Sequence, residues 1–291
     1  MELASLFGAR NKKDLPTPKS GPSKAPVKLE PLETAVVIET PVYEDTSKHK
    51  FDLLPMRVDK FDELLEDHGV ERGATLLLSG GAGTGKTTFC MQSLYYGALN
   101  GEKSLYISFE EDPRSIKYHM KKNFGWDFDK LEELGLFSIV HLDPGMVARQ
   151  VEEWLAKEKG ILRIPVKDME FPLVPDRVCV DSLSALSIEF ENDKDYRKYI
   201  TQLFHLFHKY NSINLVISET EQAPSVYSRS GVEEFLVDGV IVFYNFKIGG
   251  KRSNALEILK LRSGKHLKET IPYRTGQNGF EIFTKQRIEF E

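Results

Sequence analysis

The chain has 291 residues, with 39 basic against 44 acidic side chains and a net charge of −5, enough for one large α/β domain plus appendages and too acidic for a general nucleic-acid coat, although a local basic groove stays open. Its two cysteines, Cys90 and Cys179, lie far apart in apolar segments, which suits buried thiols in a reducing cytoplasm better than a disulfide framework, with a pairing between them left open. No apolar run approaches membrane-spanning length and no continuous signal-peptide core opens the chain, so no membrane contact is expected.

Residues 1–50 differ from the rest. Pro16, Pro18, Pro22, Pro26, Pro31 and Pro41 alternate with Lys12, Lys13, Lys19, Lys24 and Lys28. Few apolar side chains offset the entropy of ordering, so this Pro/Lys-rich tail is expected to be disordered. Met1–Phe7 can form a short anchoring turn, and Ala35-Val36-Val37-Ile38 can add an edge strand. The tail reads as a solvated leader or as a docking element for an unknown protein partner.

From residue 51 to residue 291 apolar runs alternate with amphipathic stretches, the rhythm of a parallel sheet flanked by helices. Phe61, Leu64 and Leu65 recur at helical spacing within Lys60–Glu66. The apolar run Thr75–Ser79 predicts a strand and the residues from Thr87 to about Leu99 a helix, stopped by Asn100-Gly101. Ser104–Phe109 is the next strand. Pro113 opens a helix toward Asn123, and Gly125 is placed to end it. A strand at Leu136–Leu142 and a helix at Val147–Lys157 follow. The proline-bearing stretch 160–175 reads as a surface insert. Val178–Val180 is a short strand ending at Asp181, and one long helix carrying Tyr199, Leu203, Leu206 and Phe207 comes after it. Asn214–Ile217, Gly239–Phe243, Ala255–Leu261 and Glu281–Thr284 complete the predicted strands.

Between the Thr75–Ser79 strand and the helix that follows it lies Gly80-Gly81-Ala82-Gly83-Thr84-Gly85-Lys86-Thr87, the phosphate-loop pattern G-x-x-x-x-G-K-T in its strand–turn–helix setting. Glycines let the backbone aim N–H groups at phosphate oxygens, and the helix adds its positive dipole end. Lys86 is expected to reach the β/γ-phosphates and the Thr87 hydroxyl to ligate Mg²⁺. These residues and Thr88 are the candidate ATP-binding set.

Asp181 closes an apolar strand at the edge where open α/β sheets hold ligands. It reads as the second Mg²⁺ anchor opposite Thr87 or as a cap of the following helix. Phe109-Glu110-Glu111-Asp112 ends the strand after the phosphate-loop helix. One glutamate of the pair can orient and deprotonate water, since neighbouring strand residues point to opposite faces; the alternative is an acidic helix start with Asp112 as N-cap. Lys260 and Arg262 share one face of a strand, as phosphate contacts or as protective charge on an edge.

In chain order the phosphate loop, Phe109–Pro113, Phe124-Gly125-Trp126-Asp127, Val180-Asp181-Ser182, Gly231–Phe235 and Lys260–His266 together resemble the KaiC family of RecA-like ATPases. The likeness covers roughly residues 51–283. It implies a RecA-like P-loop core: a mostly parallel twisted sheet flanked by helices, with C-terminal antiparallel strands. It further implies ATP bound with Mg²⁺ between the subunits of a homo-oligomer, commonly a hexamer. Glu110 and Glu111 match the family's paired catalytic glutamates. Lys260 and Arg262 match residues that reach the neighbouring subunit's γ-phosphate, and His266 matches a position near the nucleotide. Ser263 departs from the family's usual glycine. The chain has a single copy of a domain that the clock protein carries in tandem. Its 221–235 loop is more like the ATPase half and has no counterpart of the phosphorylated Ser–Thr pair, so clock function does not follow. An ATP hydrolase is the leading reading; a nucleotide-dependent scaffold and a recombinase-like DNA-acting ATPase are its rivals.

Overall fold

The computed structural model describes residues 52–157, 172–222, 224, 226–248 and 250–287. The expectations for the tail 1–50, for Met1–Phe7 and Ala35–Ile38, and for most of the 160–175 insert lie outside the described residues.

A nine-stranded sheet organises the domain. Its parallel part comprises β3 (Thr75–Gly80), β4 (Ser104–Ser108), β5 (Phe137–His141), β6 (Arg177–Asp181), β7 (Ile213–Glu219) and β8 (Gly239–Ile248). Three antiparallel strands extend it: β9 (Lys251–Leu261), β10 (Ile271–Gly276) and β11 (Gly279–Ile282). The spatial order is β11-β10-β9-β8-β3-β7-β6-β4-β5. Two further short strands, β1 (Leu53–Leu54) and β2 (Val70–Glu71), pair with each other. This is the predicted architecture of a mostly parallel sheet with antiparallel strands at its C-terminal side.

Strand alternation divides the core. In β3, Leu76 and Leu78 join the layer of Phe89, Met91 and Leu94, while Leu77 joins that of Ile200, Leu203 and Phe207. The first layer belongs to α1 (Lys86–Leu99), α2 (Pro113–Phe124) and α3 (Phe128–Glu133). The second belongs to α4 (Pro144–Lys157), α5 (Leu183–Glu189) and α6 (Asp193–Tyr210). The central strands β3, β4, β6 and β7 are covered on both sides, which is why their runs read as almost continuously apolar.

Several elements depart from the expected ones. Lys60–Glu66 makes a single 3₁₀ turn, Phe61–Leu64, because Lys60 is left-handed and Leu65 extended on either side of it. The long helix expected after Asp181 is α6, and a short extra helix, α5, precedes it. The chain extends at Phe190, and Asn192 starts α6 by accepting the Asp195 N–H at 3.0 Å. β10 was not anticipated, since Pro272 interrupts its pattern; here Pro272 lies opposite Ala255 of β9. The short helices α3 and α7 (Glu233–Leu236) were also not anticipated.

Two sets of long-range contacts matter for the site. Arg177, only 1% exposed, donates to Ser93 Oγ at 3.0 Å, to the Pro55 carbonyl at 2.5 Å and to Glu102. A buried guanidinium is tolerable because its donors are matched in this way. It ties the segment before the first helical turn to α1 and β6. On the other flank the β10–β11 hairpin lies on the start of α1: Tyr273 donates to the Thr84 carbonyl, and the Phe280 N–H to Gln92 Oε1 at 2.7 Å.

Candidate active site

The strands β3, β4, β6 and β7 are parallel, so Gly80, Ser108, Asp181 and Glu219 all finish at one edge. Gly80 lies beside Phe243 of β8, and a Cβ there would run into the Phe243 carbonyl. Gly85 caps α1 with φ of 88°, a left-handed conformation that glycine adopts freely. Between them the loop closes on itself. Thr84 Oγ1 donates to the Gly81 carbonyl at 2.8 Å, and Lys86 Nζ to the Gly80 and Gly81 carbonyls at 2.8 and 2.9 Å. Burial draws the Lys86 pKa down, against the pull of Glu219, Asp181 and Glu110.

Thr87 and Asp181 meet as predicted: the hydroxyl donates to Asp181 Oδ2 at 2.7 Å. Tyr106 OH donates to the same oxygen at 2.6 Å from within β4. Burial raises the Asp181 pKa and the Glu110 charge adds to that, while the two hydroxyls and Lys86 oppose it. The cap of α5 is Ser182, which accepts from the Ala185 N–H, so the capping alternative for Asp181 falls away. Among the described residues no three metal-ligating side chains cluster. Two hard oxygens, one hydroxyl and one carboxylate, fit Mg²⁺, which keeps waters and substrate phosphates as its remaining ligands.

The adjacent glutamates part company. Glu110 accepts from Ser182 Oγ at 2.5 Å, beside Asp181. Glu111 turns toward α2, where its carboxylate meets His119 Nδ1 at 3.1 Å. Its backbone is wrapped by Ser108 Oγ, which donates to its carbonyl and accepts its N–H. Asp112 does cap α2, accepting the Arg114 N–H at 2.8 Å.

Lys260 and Arg262 stand at the other edge of the sheet. Leu261 pairs with Gly239, itself level with Leu76, so the two cations sit about 13 Å of strand away from their own phosphate loop at ~3.3 Å per residue. Lys260 Nζ donates to the Glu234 and Val237 carbonyls at 3.1 and 2.7 Å. Arg262 donates to the Phe235 carbonyl at 3.1 Å and contacts Asp238 at 3.4 Å. All of these acceptors belong to α7 or the residues just after it. The helix is itself anchored by buried Glu233, which accepts from Tyr196 OH at 2.6 Å and from Ser230 Oγ. His266 bridges to Leu65, on the strand connection that follows Arg262.

Sequence reasoning missed several neighbours of the loop. Glu219 ends a strand beside Gly80, the same signal that marked Asp181. Gln222 donates to the Ala82 carbonyl at 3.1 Å. Tyr106 carried no signal, because its partner depends on the β4–β6 register. Cys90 and Cys179 are buried free thiols.

Residues 54–287 match the family model of the KaiC ATPase. The chain belongs to the KaiC ATPase family. It is 30% identical over 244 residues to the circadian clock oscillator protein KaiC of Parathermosynechococcus lividus, a match covering 81% of this chain and 44% of that protein. With the KaiC of Acaryochloris marina it shares 29% identity over 244 residues, 83% of this chain and 46% of that protein. The chain therefore spans less than half the length of these relatives. The crystal structure of a KaiC-like protein from the hyperthermophilic archaeon Pyrococcus horikoshii matches with a TM-score of 0.65 and 28% identity, over 80% of this chain and 99% of that one. The fold is thus the RecA-like one of KaiC proteins. In this KaiC-family domain, the phosphate loop and the Lys260–Arg262 pair occupy opposite edges of one sheet. No helix among the described residues is long and apolar enough to cross a membrane.

Proposed function

We propose that this KaiC-family chain hydrolyses ATP with Mg²⁺ bound, at sites that a neighbouring copy completes. The observation that carries the proposal is the separation just described: one edge of the sheet has the phosphate loop and carboxylates, and the cation pair is held at the other. Residues 80–88 supply backbone N–H groups to the phosphates, and Lys86 exchanges its loop carbonyls for phosphate oxygens. Thr87 and Asp181 would hold Mg²⁺, which when bound neutralises charge on the β/γ-phosphate oxygens. Glu110 orients the attacking water and takes its proton. Glu111 supports it through the bend at Ser108 and the contact to His119.

The neighbour's Lys260 and Arg262 then meet the charge that develops on the departing phosphate, with His266 close behind them. The family resemblance supports a homo-oligomeric ring, a hexamer being the form expected from it. The tail 1–50 remains the candidate docking element for a protein partner, and the net charge of −5 weighs against nucleic acid as the main one.

Mixing variants tests the shared site. Lys86→Ala and Arg262→Ala should each be nearly inactive alone. Mixed after dissociation and reassembly, they should recover part of the wild-type rate, because some interfaces then pair an intact loop with an intact arginine. No recovery in mixed assemblies of verified composition would refute the trans arrangement. Tight ATP binding with no turnover in the wild-type assembly would favour the scaffold reading.

A further inference from the structure

A cavity of about 640 Å³ lies along the second half of α1. Gln92, Tyr96 and Asn100, spaced one helical turn apart, form one wall; Arg57 and Lys60 form a second and Phe283 a third. At 1.5 Å rise per residue, Tyr96 is roughly 15 Å along the helix from Lys86. None of these residues belongs to the nucleotide machinery.

Two features mark the cavity as more than a surface recess. First, Arg57 and Lys60 both adopt left-handed backbone, with φ of 64° and 52°. That conformation is unfavourable for any residue with a Cβ, and such strain concentrates where side chains serve a purpose. Second, the polar groups on the walls are chiefly N–H donors. Arg57 Nε is buried without a hydrogen-bond partner, although its Nη2 holds Glu102 at 3.0 Å. Glu102 is also shared with Arg177, so two guanidinium groups draw on one carboxylate. Lys60 forms no ion pair with a described residue. Gln92 uses only its oxygen, on the Phe280 N–H. Of the lining carboxylates, Glu281 is held by Arg274 and Asp59 is exposed at the rim.

We propose that this cavity is a second ligand site, for a flat organic anion rich in hydrogen-bond acceptors. The anionic group meets Arg57 and Lys60, the ring body lies against Tyr96 and Phe283, and the Gln92 amide donates to its edge, while the Asn100 amide is held on the Tyr96 carbonyl at 2.7 Å. The site is independent of the phosphate loop and of the hydrolysis proposed above.

The test uses 8-anilinonaphthalene-1-sulfonate, a flat anion, titrated by fluorescence into the full chain with Mg-ATP present. Saturable binding is expected, unaffected by ATP and by Lys86→Ala. Arg57→Ala and Lys60→Gly should each weaken it about tenfold, as loss of a charge-assisted hydrogen bond does. Lys60→Gly should also melt no lower than the wild type, since glycine relieves the strained turn. That outcome separates a ligand-facing lysine from one retained for folding. Absence of saturable binding, displacement by ATP, or unchanged affinity in both variants would overturn the proposal.

Discussion

Glu110 and Glu111 are neighbours in sequence but not in chemistry. Ser182 fixes Glu110 beside Asp181, whereas His119 draws Glu111 toward α2. Glu110→Gln should therefore lower turnover by about 100-fold or more, within the range of a lost general base. Glu111→Gln should cost only a few-fold, and both variants should keep their ATP affinity. Phosphate release and equilibrium nucleotide binding measure the two effects separately. Asp181 gives a pH signature. Burial raises its pKa in the folded chain above the unfolded value of about 3.9. A raised carboxylate contributes stability below the unfolded value, and that contribution is lost as pH rises through the folded one. Without metal, Asp181→Asn should thus be more stable than wild type at pH 7, and the gap should close toward acid pH. Urea unfolding followed from pH 7 down to about pH 4, the unfolded value, will show it; a gap that widens toward acid contradicts the assignment.

At the scale of elements, α7 is the piece that links packing to chemistry. Four residues long, it cannot hold itself together by helical hydrogen bonds alone. Its position rests on the buried Glu233 carboxylate and the Tyr196 hydroxyl, and its carbonyls in turn seat Lys260 and Arg262. Tyr196→Phe leaves the carboxylate short of a donor and should reduce stability by about 1–3 kcal/mol. Turnover should fall in parallel while ATP binding at the protomer's own loop is retained, a split that urea melts and ATP titration resolve. β3 is constrained differently. At Gly80 a methyl group would press on the backbone of β8 rather than on a yielding side chain. Gly80→Ala should therefore destabilise the domain by about 2 kcal/mol or more, read as a drop in the urea midpoint.

For the whole molecule the consequence is concentration dependence. On the proposed shared site, a chain whose cations lie at the far edge from its own loop should work slowly when alone. Turnover per chain should rise as protein concentration drives assembly, and Arg262→Ala should lower it by roughly a thousand-fold without changing oligomer mass. Phosphate release measured across a dilution series, alongside light scattering, checks both; a rate per chain independent of assembly would contradict the shared site.

Local pattern was enough for much of this protein. The phosphate loop, the parallel rhythm of its strands and Asp181 at a strand end are encoded within a few residues each, because glycine torsions, apolar periodicity and helix caps are short-range physics. The long helix carrying Tyr199, Leu203, Leu206 and Phe207 is present as α6, but the short α5 before it, separated by the extended Phe190 and the Asn192 cap, carried no stripe of its own to announce it. β10 was hidden by Pro272. Other features depend on strand register and on contacts between residues distant in sequence: Tyr106 reaching Asp181, Glu110 separating from Glu111, Lys260 and Arg262 resting on α7, and Arg57 and Lys60 facing α1. The sequence by itself therefore determined that the chain folds around a phosphate loop and joins the KaiC family. Only the tertiary structure decided which carboxylate stands beside Asp181 and which edge of the sheet the cations occupy, because those positions are set by the pairing of remote strands.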